Sequence, residues 1–166
     1  GVVFALTPST NPIATLNFKI LIALMTRNAI VISPHPAARA CCVDAARMLA
    51  EAAIEAGAPD GVIQIIEEPT IPLIEQFMAS ELTSVILATG GTAMVRSAYS
   101  SSNPAIGVGP GNAPVYVDAT ARLPEAAKRI VSSKSFDNSI LCTNESVLIT
   151  LPEVEKKLSQ SLKHAG

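Results

Sequence analysis

The sequence predicts an α/β fold, a Rossmann-like parallel sheet with helices on both faces. Short β-rich runs alternate with helical patterns from the first residue onward, which is typical of such a sheet. Several of these runs are continuously apolar, as expected for strands that are buried on both faces. The predicted strands are Val2–Leu6, Ala29–Ile32, Val62–Ile66, Val85–Ala88, Ala105–Val108 and Val115–Val117.

The clearest predicted helix spans Ala38–Ala56. Polar residues recur in it at three- and four-residue spacing, opposite a broad apolar stripe. Gly57 suits the left-handed position that ends the helix, and Pro59–Gly61 then turns the chain into the next strand. The predicted apolar stripe consists of Val43, Ala46, Leu49, Ala50, Ala53 and Ile54. The other predicted helices follow Pro12, span Ile71–Ala79, start near Gly91 and span Leu123–Ser133.

Composition and charge exclude some classes of partner. The chain has 12 Lys and Arg against 14 Asp and Glu, and its basic residues are scattered, which argues against a nucleic-acid partner. The longest apolar stretch near the start, Ile20–Met25, is far shorter than the ~20 residues that span a bilayer. We therefore expect a soluble chain that has no membrane contact.

The cysteine pattern favours a reducing cytoplasm. Cys41 and Cys42 are adjacent, so a bond between them would be strained, and the total of 3 cysteines is odd. The chain has no Cys-x-x-Cys motif and only two histidines, His35 and His164. We expect no metal site, and we interpret neither histidine as a general base, since His35 lies on the cofactor side and His164 falls in a polar tail.

Cys142 is the candidate nucleophile. A free cysteine is only a few per cent thiolate at neutral pH, so a nucleophilic one needs local dipoles or backbone donors. Polar residues flank it at Asp137–Ser139 and Thr143–Asn144. Taken alone, a cysteine that follows Ile140 and Leu141 is more often a small buried hydrophobic residue.

The segment Phe136–Cys142, Phe-Asp-Asn-Ser-Ile-Leu-Cys, resembles the nucleophile segment of the aldehyde dehydrogenase superfamily. The similarity is to its CoA-acylating branch, which includes the aldehyde dehydrogenase half of bifunctional aldehyde-alcohol dehydrogenases. Four further segments match that branch in the same order, and the resemblance extends to about Thr150. These segments are Gly1–Pro12, Arg27–Pro36, Ile86–Val95 and Ala98–Pro114.

The resemblance implies a domain organisation and an assembly. Residues 1–134 would be most of a dinucleotide-binding domain, and residues 135–166 would begin the catalytic domain that carries the nucleophile. Polypeptides of this family are several hundred residues long, so we expect a central piece of a larger protein. Such enzymes generally form dimers or larger assemblies, which implies a homo-oligomer through the parent protein.

The resemblance also implies a reaction. Cys142 would attack an aldehyde to give a thiohemiacetal, hydride would pass to NAD or NADP, and the thioester would be transferred to CoA. In reverse, the enzyme would reduce an acyl-CoA. We expect Asn11 to be the oxyanion donor, with the backbone N–H of Cys142 as its partner. The family's asparagine aligns with Thr10 if no gap is allowed, and Asn11 could instead cap the helix that follows Pro12.

Two turns are expected to bind the cofactor. By resemblance, the turn formed by Thr89, Gly90, Gly91 and Thr92 faces the phosphate and nicotinamide half, at a helix N-terminus where anions bind readily. The family holds the adenosine ribose with a lysine and an acidic residue after its second strand. In gapless register this chain has Ser33 and Pro36 at those two positions.

The ribose contacts must therefore come from other groups, and Ser33, Pro34 and His35 are the candidates. This leaves the choice between NAD and NADP open. Arg39 could meet a 2′-phosphate, or it could be a solvated residue in the first turn of a helix.

The segment Gly107–Gly111 is not a phosphate loop, because it leads into a strand and not into a helix. Its resemblance to the family places Val108 and Gly109 at the cofactor. Acid-forming relatives carry a glutamate at the position of Val108, where it activates water to hydrolyse the thioester. This chain has no acidic residue from Ala93 to Val117. The acyl-enzyme should therefore persist until a thiol such as CoA attacks it.

Several alternatives remain open from the sequence. Glutamyl-phosphate reductase also works without thioester hydrolysis, and histidinol dehydrogenase shares a Gly-Pro-Gly-Asn segment. The segment Phe136–Cys142 argues against both. An alternative of another class is a non-catalytic nucleotide-binding or assembly fragment. No pattern in the sequence identifies the small-molecule aldehyde that would be the substrate.

Overall fold

The computed structural model describes residues 1–166, which divide into two units, Gly1–Pro110 and Gly111–Gly166. This boundary falls earlier than the division predicted after residue 134. That division concerns the functional domains of a parent polypeptide, and it stays a prediction.

The first unit is built on a parallel five-stranded sheet with the strand order β3-β2-β1-β4-β5. It confirms the predicted fold class, and each of the five predicted strands agrees with the structure to within one residue at either end. The strands are β1 (Val2–Leu6), β2 (Ala29–Ser33), β3 (Ile63–Ile65), β4 (Val85–Thr89) and β5 (Ala105–Val108).

Four helices connect these strands. Proline in the first turn starts both α1 and α3, where its missing N–H costs no hydrogen bond. The Thr70 side chain also caps α3 by accepting a hydrogen bond from the Leu73 N–H. The helices are α1 (Pro12–Met25), α2 (Arg39–Glu55), α3 (Ile71–Ala79) and α4 (Thr92–Tyr99).

Alternate residues of β1 enter two separate cores, one on each face of the sheet. Val3 and Ala5 pack with residues of α1 and α2, whereas Phe4 and Leu6 pack with residues of α3 and α4. Helices therefore cover both faces, as predicted.

Helix α2 ends as predicted, because Gly57 adopts a φ of 95°. Its predicted apolar stripe is wrong at one position. Ile54 is 44% exposed, and Cys42 is the fully buried residue instead.

Lys19 of α1 is buried within the first unit, although the sequence analysis did not single it out. Its Nζ donates hydrogen bonds to the carbonyl oxygens of Leu6 and Leu87, at 2.6 and 2.7 Å. These carbonyls belong to β1 and β4, which are neighbours in the sheet. Desolvation lowers the pKa of Lys19 from 10.5 to about 7.

The second unit contains β6 (Ala113–Val117), α5 (Leu123–Ser135), β7 (Glu145–Thr150) and α6 (Pro152–Ala165). β6 extends the sixth predicted strand, and it pairs in parallel with β7 and not with the five-stranded sheet. The core contains Val117, Val154 and Leu158. The sequence analysis missed β7 and α6.

The assignment of His164 to a polar tail is wrong. It lies in the last turn of α6, where its Nδ1 is 2.7 Å from the carbonyl oxygen of Gln160. None of the helices combines the length and the apolar character that a bilayer span requires.

The burial of Lys19 gives a testable pH dependence. Between pH 7 and 10.5 the unfolded chain keeps the Lys19 proton that the folded chain has lost, so stability rises with pH. This gain amounts to at most about 1.4 kcal/mol per pH unit. We expect Lys19→Met to remove it, so that the unfolding free energy of the wild type increases relative to the variant from pH 7 to pH 10. Urea unfolding at several pH values measures the difference.

Lys163→Met removes an exposed lysine and is the control. Parallel pH profiles for the wild type and Lys19→Met would contradict the prediction.

Candidate functional site

A cavity of about 460 Å³ lies at the carboxyl edge of the five-stranded sheet. It is lined by Leu6–Pro8 after β1, by Ser33–Pro36 after β2 and by Thr89–Gly91 after β4. The chain leaves β1 and β4 toward opposite sides of the sheet, so this is the point where the strand order reverses. Open α/β sheets bind ligands at such points.

The walls of this cavity are mainly apolar. Pro69, Ile71 and Ile74 line it at the start of α3, and Ala93 and Met94 line it in α4. An apolar slot with a few polar groups is typical of small-molecule sites.

Ser33 is the unusual polar group of the cavity. The residue is 2% exposed, and its Oγ is buried without a hydrogen-bond partner. Its backbone carbonyl, in contrast, accepts a hydrogen bond from the Thr7 N–H at 3.1 Å. A buried hydroxyl without a partner costs free energy, so this atom indicates a place where a ligand donor or acceptor fits.

Pro34 and His35 continue the same loop and also line the cavity. Pro34 is buried and His35 is exposed. The His35 Nδ1 accepts a hydrogen bond from the Ala37 N–H at 3.2 Å and caps the 3₁₀ turn Pro36–Ala38. All three predicted residues of this loop therefore meet at the cavity.

The glycine turn after β4 is predicted to bind the cofactor along its whole length, but only part of it lines the cavity. Thr89, Gly90 and Gly91 line the cavity, whereas Thr92 does not. Gly91 is the N-cap of α4, and no side chain caps that helix end. Val108 and Gly109 are also absent from the lining, and Val108 is 55% exposed. Cofactor contacts at Thr92, Val108 and Gly109 stay predictions.

Arg39 forms an ion pair with Glu68, with 2.5 Å between Nη1 and Oε2. Both side chains are exposed, which makes the pair weak. Neither residue is among those that line the cavity.

Asn11 is exposed at the N-cap of α1, but its side chain makes no capping hydrogen bond. The helix start is held by the Asn11 carbonyl, which accepts hydrogen bonds from the N–H and the Oγ1 of Thr15. The alternative in which the Asn11 side chain caps this helix is therefore wrong. Its role as an oxyanion donor stays a prediction.

Cys142 is exposed, in the turn between the 3₁₀ segment Phe136–Ser139 and β7. This excludes the interpretation of Cys142 as a small buried hydrophobic residue. Cys42 has that role instead, since it is fully buried and burial raises the pKa of its thiol. Cys41 is exposed, and its Sγ donates to the carbonyl of Ala38 at 3.1 Å.

The backbone before Cys142 is strained. Asp137, Asn138 and Ser139 have φ values of 51°, 50° and 61°, in the left-handed region. Such residues normally occur singly, and each costs roughly 1–2 kcal/mol unless it is glycine. Strain of this kind is concentrated at functional sites.

Two polar residues that follow Cys142 in sequence are buried or half-buried. Asn144 is 5% exposed, and its Nδ2 donates to the carbonyl of Ser133 at 2.6 Å. Glu145 is half-buried, and a hydrogen bond from the Ser133 side chain is the main cause that lowers its pKa. Sequence analysis noted Asn144 only as a polar neighbour and missed Glu145, although Glu145 lies three residues after the thiol.

Nowhere in the chain do three or more His, Cys, Asp or Glu side chains form a group that could hold a metal ion.

Comparison with known proteins gives a consistent result. The model of the family described as "Aldehyde dehydrogenase family" matches residues 1–165. The aldehyde-alcohol dehydrogenase of Clostridium acetobutylicum is 44% identical over 166 residues, which are 100% of this chain and 19% of that protein.

Solved structures agree. The acetylating aldehyde dehydrogenase of Geobacillus thermoglucosidasius is similar at a TM-score of 0.92 and 48% identity, over 100% of this chain and 37% of its own. The Rhodopseudomonas palustris propionaldehyde dehydrogenase, solved with bound CoA and an acylated cysteine, has a TM-score of 0.92 and 36% identity, over 100% of this chain and 38% of its own. This chain thus spans between a fifth and two fifths of the proteins it matches.

The exposure of the three thiols is directly testable. We expect Cys41 and Cys142 to react rapidly with a disulfide reagent such as Ellman's reagent under native conditions, and Cys42 to react only after unfolding, because it alone is buried. Absorbance counting should give two native thiols and three in denaturant. Cys142→Ala should reduce both numbers by one. A native number that is unchanged in this variant would mean that the Cys142 thiol is not accessible.

Proposed function

The chain belongs to the aldehyde dehydrogenase family, and from this we propose that its parent enzyme oxidises an aldehyde to an acyl-CoA with NAD(P) as the hydride acceptor. The main support is the exposed Cys142 thiol, which follows a strained loop in a chain that matches the family over 165 residues.

Cys142 forms and breaks the covalent bonds of the reaction. Its thiolate adds to the carbonyl carbon of the aldehyde and gives a thiohemiacetal. Hydride leaves that carbon, the carbonyl re-forms, and the acyl group remains on sulfur as a thioester. The CoA thiolate then attacks the thioester and expels Cys142 as a thiolate. One aldehyde, one CoA and one oxidised cofactor give one acyl-CoA, one reduced cofactor and one proton.

Three features of the cavity in the first unit support its use as a dinucleotide site. Its apolar wall of Pro69, Ile71 and Ile74 suits a flat aromatic base, and the Ser33 Oγ is free to bond a ribose hydroxyl. Gly91 places the positive end of the α4 dipole at the cavity, where a phosphate group is favoured. When bound, the nicotinamide ring accepts the hydride.

The release of the acyl group to CoA and not to water follows from a missing base. By resemblance to the family, Val108 falls at the position of the hydrolytic glutamate, and the segment from Ala93 to Val117 has no carboxylate. Glu145 follows the nucleophile loop, and a hydrogen bond from Ser133 lowers its pKa, which makes it a weaker base than an ordinary glutamate. A thiolate is a better nucleophile than unactivated water, so the thioester waits for CoA.

The oxyanion that forms during attack needs hydrogen-bond donors. We infer that these are the Asn11 side-chain amide and the backbone N–H of Cys142. The Asn11 amide is available because α1 does not use it as a cap. Loss of one such donor typically costs on the order of 10²–10³ in rate.

The dependence on Cys142 and CoA tests the proposal in the full-length protein that contains this chain. We expect aldehyde and NAD to give continuous production of NADH only when CoA is added, because the thioester is otherwise not released. Cys142→Ala should abolish turnover and leave cofactor binding intact. Absorbance at 340 nm and chromatography of acyl-CoA measure both effects.

Cys41→Ala removes another exposed thiol and is the matched control, with unchanged turnover. Free acid formed steadily without CoA would overturn the proposal. Turnover that survives Cys142→Ala would do the same, and cofactor binding without turnover in the wild type would favour the non-catalytic alternative.

Ser33 tests the cofactor cavity separately. Loss of one neutral hydrogen bond is worth roughly 0.5–1.5 kcal/mol, so Ser33→Ala should weaken NAD binding about 2- to 10-fold. The reactivity of the Cys142 thiol should not change. Quenching of NADH fluorescence or calorimetry gives the dissociation constant. An unchanged constant would remove Ser33 from the site.

A further inference from the structure

The segment Gly109–Asn112 is not followed by a helix, so it does not bind phosphate in the usual way. Its Gly111 instead makes a close contact in the second unit. A Cβ atom added to Gly111 would lie 2.9 Å from the backbone carbonyl oxygen of Cys142. Real Cβ atoms essentially never approach so closely, so the backbone would have to move. The φ angle of Gly111 is not positive, which means that this contact, and not the local conformation, requires glycine.

A second restraint on the loop comes from Asn144. Asn144 lies two residues after Cys142, and its buried side chain donates to the Ser133 carbonyl in the last turns of α5. A longer contact of 3.5 Å joins the same Nδ2 to the Phe136 carbonyl. The end of the loop is thus tied to the helix from which it starts.

The loop needs such restraints because of its conformation. Asp137, Asn138 and Ser139 are all left-handed, and the Ile140 N–H donates a hydrogen bond to the Asp137 carbonyl. Consecutive left-handed residues that are not glycine relax to the right-handed region unless surrounding contacts hold them. Contacts at Gly111 and Asn144 lie on the loop side that follows this strained turn.

We propose that Gly111 and Asn144 are positioning residues that fix the backbone of Cys142 for attack on the aldehyde. This rests on the proposed function of Cys142 as the nucleophile. The sulfur must reach a near-attack geometry, and a misplacement of about 1 Å costs about 10²-fold in rate. The backbone N–H of Cys142 serves as an oxyanion donor, so a shift of this backbone disturbs two catalytic groups together.

Gly111→Ala in the full-length protein is the first test. The added methyl group should displace the loop and lower kcat about 10- to 100-fold. The dissociation constant of NAD should stay within twofold of the wild type, because the cavity belongs to the first unit. The rate of alkylation of Cys142 by iodoacetamide should also stay within twofold of the wild type. This combination means that the thiol is present and reactive but misplaced.

Gly109→Ala is the matched control for the alkylation measurement, since a Cβ there meets no atom within 4 Å. An unchanged kcat in Gly111→Ala would overturn the proposal. A parallel loss of NAD binding would also overturn it, because the damage would then be general.

Asn144 is tested by comparing two substitutions. Asn144→Leu keeps the approximate size and adds no charge but removes the N–H donor, whereas Asn144→Ala removes the whole side chain. If the N–H donor positions the loop, the leucine variant loses at least as much kcat as the alanine variant. If Asn144 only fills space, the alanine variant loses more, and that result would overturn its assigned role.

Cys142→Ala in the same assays separates the two proposals. Turnover in this variant would remove the proposed function itself. No turnover in Cys142→Ala, together with wild-type kcat in Gly111→Ala and Asn144→Leu, would remove only the positioning role.

Discussion

The pairing of β1 with β4 is the constraint on which the candidate cofactor site depends. These neighbouring strands lie parallel, and the chain leaves them toward helices on opposite faces of the sheet. The loops that follow these two strands diverge, and a crevice forms between them at the edge of the sheet. Lys19 crosses this pair with two short hydrogen bonds to backbone carbonyls. Burial disfavours the charged form of Lys19, and the two carbonyl acceptors satisfy its donors in place of water.

The same crevice explains why polar and apolar groups are mixed at the site. The walls come from helices whose apolar faces already pack on the sheet, so they remain apolar where they pass the cavity. The polar groups come from strand ends, where side chains and backbone amides no longer have partners in the sheet. Ser33 is the clearest example, because it is the last residue of β2 and its hydroxyl is buried but unpaired. A ligand with hydroxyl groups and a flat apolar part complements both features.

The sequence predicted the first unit well because its strands are buried on both faces and its helices have clear turns, as at Gly57. The second unit was harder. In β7 most residues are exposed, so no buried apolar run marks it. Helix α6 had a usable signal, with Pro152 followed by Val154, Leu158 and Leu162 at a spacing of four. The burial of Lys19, the unpaired Ser33 hydroxyl and the contact at Gly111 depend on residues distant in sequence, which no local pattern reveals.

The nucleophile loop combines an exposed thiol with a rigidly tied backbone, and this combination has a physical reason. A thiol that must meet two substrates in succession has to remain accessible, so packing of its own side chain cannot fix its position. The backbone must then be fixed instead, by contacts that lie beneath the thiol. Gly111 permits one such contact and Asn144 makes the other, while the left-handed turn of Asp137–Ser139 directs the chain between them. The sulfur atom therefore stays accessible, while contacts to the backbone of the same loop set its position.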